Sequence, residues 1–239
     1  ALGTAAMDAL TSGIGNVGIG INTLGTSEDG CYNIAIGDSA LGACTGASYH
    51  NIAIGRNSAC HRTTGFDNIN IGTAAGRDST TGCKNVAIGY IAMGAGVTTG
   101  LDNIAIGSTA MDALTSGACN IAIGENALGA ATIAIRSVAI GEGAMSAVTT
   151  GNVSDTIAIG RGASYGNSST TGNYNIALGL NTLCALTTGA ANIAIGQTPL
   201  DALTTGYLNI ALGENALGTS TTGCQNIALG ACAMGTGVV

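Results

Sequence analysis

Tryptophan is absent from this chain, and phenylalanine and proline each occur once. Without large aromatic side chains to fill it, a conventional globular interior is not expected of its 239 residues. Charge is scarce too: 8% of residues are Asp, Glu, Lys or Arg, with a formal net charge of −7. Six scattered basic residues make no phosphate-neutralising patch, which argues against nucleic acid as a partner. A glycine or polar residue interrupts every apolar run well short of the roughly 20 residues of a membrane-spanning helix. Near-absence of proline, with glycine off a three-residue period, excludes collagen. Disorder fits poorly, because 46% of residues are apolar. No Cys-x-x-Cys occurs among the eight cysteines, so redox and zinc-knuckle signatures are missing. No signal peptide is visible and the first residue is not Met, so the chain reads as mature or trimmed.

What is abundant is glycine, 40 residues of it, and it falls in register. Asn-Ile-Ala-Ile-Gly or a close variant begins at residues 16, 33, 51, 68, 85, 103, 120, 137, 156, 175, 192, 209 and 226. Eight of the twelve intervals are 17 residues, two are 18 and two are 19. Numbering the Asn as position 0, the unit reads N-I-A-I-G-x-x-A-L-x-x-x-T-T-G-x-x. Met7 to Gly13 repeats as Met111 to Gly117, so a truncated unit opens the chain and the total is about fourteen. Glycines every few residues cost a helix about 1 kcal/mol each relative to alanine. Each unit is therefore expected to be one coil of a parallel β-solenoid occupying residues 1–239 as a single all-β repeat domain. Glycines at positions 4 and 14 mark corners, where positive φ or close backbone approach is needed.

Period 2 places the aliphatics of positions 1 and 3 on one face and the small residue of position 2 on the other. The aliphatics of positions 1 and 3 are expected to face inward. Position 8, mostly Leu or Met, supplies a second inward row, and position 11 adds a third at Leu114, Val148, Leu186 and Leu203. Asn at position 0 in eleven of thirteen units predicts a stacked amide ladder. Position 2 is alanine in eleven: Ala35, Ala53, Ala87, Ala105, Ala122, Ala139, Ala158, Ala177, Ala194, Ala211 and Ala228. A face restricted to alanine suits close approach by another surface and marks a self-association face. Packing of these alanines inside their own narrow coil is the other reading.

The segment Ser137-Val138-Ala139-Ile140-Gly141, with its Asn-Ile-Ala-Ile-Gly counterparts, resembles the head repeats of YadA-type trimeric autotransporter adhesins and related phage tail-fibre repeats. The resemblance covers essentially the whole chain through one short motif. It implies a parallel β-roll, often trimeric, used in surface attachment.

Few constellations suggest chemistry. Gly13-Ile14-Gly15-Asn16-Val17-Gly18 matches GxGxxG, but a dinucleotide site needs a following helix, and none is expected. Glu125 and Glu142 share position 5 of adjacent coils, a spacing similar to a retaining-glycosidase pair. Arg161 follows at the same position, which favours an exposed ladder of charges instead. Cys44, His50, Cys60 and His61 form the one Cys/His cluster. Its spacing matches no zinc finger, and a Cys44–Cys60 disulfide or two free thiols are the plainer readings. No metal or other cofactor is expected. Threonine pairs at positions 12 and 13 suit corners, with an outward row that raises ice binding or O-glycans as further readings. Asn152 and Asn167 lie in N-x-S sequons within the two longest units and are candidate glycosylation sites.

Ala1-Leu2-Gly3 corresponds to positions 2–4, and the chain ends in Val238-Val239 before another motif would begin. These five residues are expected to meet end to end in a head-to-tail filament. The expectation is a non-enzymatic structural protein, extracellular or on a cell or virion surface, partnered by itself as a homo-oligomer, trimer or filament. The alternative is an adhesin or phage-fibre head whose exposed turns bind surface glycans or receptors.

Overall fold

The computed structural model describes residues 1–44, 46, 48–148, 153–166 and 171–235. The chain divides into two compact units, Ala1–Cys119 and Asn120–Val239. Among the described residues there is strand, turn and bend but no helix. Each unit is a parallel β-solenoid with a repeat of about 17 residues, and together they hold about twelve turns.

The first unit carries β1 (Val17–Ile19), β2 (Ile34–Ile36), β3 (Ile52–Ile54), β4 (Ile69–Ile71), β5 (Val86–Ile88) and β6 (Ile104–Ile106). They pair in chain order, position on position, as in Ile34↔Ile52, Ala35↔Ala53 and Ile36↔Ile54. The second unit carries β7 (Ile121–Ile123), β8 (Ala134–Ile135), β9 (Val138–Ile140), β10 (Val153–Ser154) and β11 (Ile157–Ile159). It continues with β12 (Ile176–Leu178), β13 (Ile193–Ile195), β14 (Ile210–Leu212) and β15 (Ile227–Leu229). Its main sheet runs β7-β9-β11-β12-β13-β14-β15, while β8 and β10 form a second, two-stranded parallel sheet.

The strand faces are the reverse of the expected self-association arrangement. Ala35, Ala53, Ala87, Ala105, Ala122, Ala139, Ala158, Ala177, Ala194, Ala211 and Ala228 are at most 2% exposed and line the coil interior. The flanking Ile, Val and Leu of positions 1 and 3 point outward. The reason is the width of the coil. At Gly18 an added Cβ would already lie 2.9 Å from Met7 Cε and 3.0 Å from Thr23 Oγ1. The interior therefore takes a methyl at position 2 and leaves no depth for isoleucine. Position 8 fills the remaining space, with Leu24, Leu41, Met111, Leu128 and Leu183 fully buried. Leu114, Val148, Leu186 and Leu203 at position 11 are buried as expected.

The half-coil after each strand is not β. Positions 6 and 8 and the residue before each position 0 adopt left-handed φ, as in Asn57 (55°), Ala59 (49°) and Asp67 (56°). Two left-handed residues separated by one ordinary residue send their N–H groups to opposite neighbours. Asn57 N–H donates to Asp38 of the preceding coil and Ala59 N–H to Ala75 of the following one. A left-handed L-residue costs about 1–2 kcal/mol. At position 8 that cost is offset by burying a Leu or Met, which contributes about 1.5–3 kcal/mol.

Position 0 forms the expected ladder. Asn51 donates from its backbone N–H (2.9 Å) and its Nδ2 (3.1 Å) to Asn33 Oδ1, and from Nδ2 to Gly65 O (2.9 Å). Its own Oδ1 accepts from the backbone and Nδ2 of Asn68. Ser137 and Thr156 interrupt the column in the second unit with weaker contacts of 3.5 Å through their hydroxyl oxygens.

Candidate functional site

The most extensive feature on the surface is the aliphatic strip formed by positions 1 and 3. In the first unit twelve Ile and Val side chains stand in two columns, and in the second unit fourteen Ile, Val and Leu do so. Neighbouring coils cover their flanks, so what remains open is their tips: Ile71 is 36% exposed, Ile123 37% and Ile159 40%. Parallel pairing in strict register makes each strip flat, with a repeat of about 4.8 Å. No charged residue lies within any of these strands.

Ion pairs lie outside the strands, three of them joining successive coils (His50–Asp67, His61–Asp78 and Arg136–Asp155) and Arg77–Asp78 lying within one. His61 Nδ1 is 2.6 Å from Asp78 Oδ1, and Arg77 Nη2 donates to Asp78 Oδ2 at 2.8 Å. His50 lies 3.3 Å from Asp67, and Arg136 Nε donates to Asp155 at 2.7 Å. Burial pushes the Asp78 carboxyl upward, but hydrogen bonds from Arg77 and His61 outweigh it and hold the group below its ordinary value. A depressed carboxylate stabilises the fold above its unfolded pKa and loses that contribution as pH falls through the folded one. Arg77→Ala should therefore raise the Asp78 midpoint, followed by carboxyl carbon chemical shift in an acid titration. An unmoved midpoint would remove Arg77 as the cause.

The remaining candidates do not converge. All eight cysteines are free thiols, so Cys44 and Cys60 are not joined by a disulfide in this structure. Cys44 is wholly buried beside Arg62. Both histidines are turned to the surface, where each meets an aspartate. Among the described residues no group of three His, Cys, Asp or Glu is placed to hold a metal. Glu125, Glu142 and Arg161 are exposed at successive corners. Gly13–Gly18 leads into β1 rather than a helix. At position 12 the threonine hydroxyls are used between coils, as in Thr63→Thr80 O (3.1 Å) and Thr187→Thr204 O (2.8 Å). Among the described residues, Thr64, Thr81, Thr188 and Thr205 at position 13 are exposed, while Thr98 is buried. Leu2 makes a parallel bridge with Ile19, between Ala1 and Gly3, so this segment stacks on the first coil. Asn152, Asn167, Val238 and Val239 lie outside the described residues.

Three features escaped the reading of residues alone. The outward aliphatic face was hidden because alternation does not say which face is inside. The left-handed columns had a signal in Asn22, Asn57, Asn126, Asn181 and Asn215 at position 6, since asparagine tolerates that conformation. The third is the fully buried arginine at position 11, Arg62. Among the described residues no helix is long and apolar enough to cross a membrane. No family model matches the chain, and neither a curated protein nor a solved structure matches it.

Proposed function

We propose that the protein is a non-enzymatic structural solenoid that assembles with further copies of itself through its aliphatic strip, as the shaft of an extracellular fibre or of a cell- or virion-surface appendage. The carrying observation is the outward turn of the isoleucine columns. Twelve side chains in one unit form a contiguous, uncharged apolar strip with open tips, 36% exposed at Ile71 and Ile106. Contiguous exposed apolar surface of this kind marks an interaction site. A second copy is the occupant that fits, because two flat, uncharged strips share the same coil repeat and interdigitate tip into gap. The surface setting follows from the resemblance to adhesin and tail-fibre repeats.

The test is Ile88→Lys combined with Ile195→Lys, one substitution in each unit. Both side chains point outward, so each coil keeps its interior. Light scattering should give an oligomer for the native chain and a monomer for the variant, with unchanged circular dichroism. A native chain that is monomeric at micromolar concentration, or a variant that assembles equally well, would overturn the proposal.

A second reading has its own observation. All seven aromatic residues are exposed, and Tyr32, Tyr49 and Phe66 lie on successive coils with the Tyr32 ring 5.5 Å from that of His50. Exposed rings at turns suit stacking on sugar faces, as in a receptor-binding head. Loss of glycan-array binding in Tyr49→Ala/Phe66→Ala would support it; an array with no hits for the native chain would end it.

A further inference from the structure

Arg62 is the largest wholly buried side chain among the described residues. It occupies position 11, where other coils place Leu114, Leu186 or Leu203. The surrounding sequence has yielded space to it: position 8 is Ala59 in its own coil and Gly76 in the next, where leucine or methionine is usual. Asn70 replaces the usual alanine at position 2 of that next coil, and its amide fills the space that a side chain at Gly76 would take. Large and small residues have thus been exchanged together, so the arginine is built into the interior rather than trapped there.

Its hydrogen bonding is incomplete on one side. Nη1 donates to Gly82 O at 3.0 Å. Nε and Nη2, the adjacent donors along one edge of the guanidinium, are buried without a partner. Asn70 Nδ2 and the Ser79 hydroxyl are buried and unpartnered as well. Ser79 holds the same position as Arg62 one coil further on, about 4.8 Å along the stack. The guanidinium and amide nitrogens only donate, so what would satisfy them together is an acceptor.

We propose that this interior holds a small inorganic anion of the halide class, bound on the Nε/Nη2 edge of Arg62 with Asn70 Nδ2 and Ser79 Oγ as further donors. Charge supports the same assignment. The titratable groups that bear on Arg62 are the thiols Cys44 and Cys83. Burial pushes Cys44 up to about 12, which leaves it a neutral thiol at pH 7. Burial also lowers Arg62, but only to about 10, so it stays cationic. A cation in an apolar interior is strongly destabilising unless a countercharge meets it. A monatomic anion satisfies both requirements in a coil narrow enough to admit alanine at position 2.

The experiment uses the full chain with chloride and bromide as probes. Crystals grown in bromide should show an anomalous difference peak beside Arg62 Nε and Nη2. In solution, amide exchange over residues 52–83 should slow by up to about tenfold for each tenfold rise in chloride above its dissociation constant. Exchange in the second unit should not respond, and sulfate at equal ionic strength should not substitute. Arg62→Met, which keeps the volume and removes the charge, should abolish the chloride response. If that variant fails to fold, the bromide peak in the native chain decides alone. Absence of the peak together with chloride-independent exchange would overturn the proposal and leave water as the partner of these donors.

Discussion

Gly179→Ala is expected to cost the second unit about 4 kcal/mol or more, enough to prevent its coils from stacking. Two effects combine there. The backbone holds φ at +128°, a region that L side chains rarely adopt and that costs about 1–3 kcal/mol. A Cβ would also overlap the Gly196 carbonyl of the next coil, and that obstacle is backbone with no side-chain rotation to relieve it. Gly230→Ala separates the two effects, because φ is +118° but nothing lies within 4 Å of its Cβ. That variant should lose the conformational share alone. Thermal unfolding of the pair, followed by circular dichroism, should show a much larger loss for Gly179→Ala. Equal losses would mean that close stacking of the glycine column is not what requires glycine.

Asn192→Ala should cost about 3–5 kcal/mol, because it strands partners on both sides of the coil. Asn192 Nδ2 donates to Asn175 Oδ1 at 3.1 Å and to Gly206 O at 2.9 Å. Its Oδ1 accepts the Asn209 backbone N–H and Nδ2, each at 3.0 Å. Removing the amide leaves Gly206 O and Asn209 N–H without those bonds inside a dry stack. Asn192→Thr should cost clearly less, because the chain itself carries Ser137 and Thr156 in this column and closes the contact through hydroxyl oxygens at 3.5 Å. Asn192→Asp should be the most damaging at neutral pH, since a carboxylate only accepts and cannot serve Gly206 O. Burial raises such a carboxyl's folded pKa, so this penalty should shrink as pH falls through that value. Denaturant unfolding of the three variants would test the order. A threonine variant as unstable as the alanine one would contradict the ladder account.

Both predictions concern columns that are visible in the sequence repeat itself. The 17-residue period alone stacks His50 near Asp67 and His61 near Asp78, each pair 17 residues apart. It also aligns the asparagines of position 0. The glycines of position 14, such as Gly65, Gly189 and Gly206, are corner residues as expected, required by close backbone approach and not by a left-handed φ. They are glycine because the next coil's backbone passes where a Cβ would be. The left-handed conformations fall instead on positions 6 and 8, largely on residues with side chains. Asparagine favours this locally at position 6, but Leu and Met at position 8 do not, and there hydrogen bonding to the coil on either side imposes it.

Tryptophan-free composition, glycine spacing and alternation of Ile with Ala are enough to establish a parallel β-solenoid, its period and its register. They also establish that alanine and isoleucine occupy opposite faces. Alternation is symmetric, however, and cannot say which face is enclosed. The diameter of the closed coil breaks that symmetry. With leucine or methionine reaching across from position 8, the space left opposite admits a methyl group and no more. Alanine is therefore enclosed and isoleucine is turned outward, and the uncharged surface thought to be alanine is an isoleucine surface, larger and more apolar.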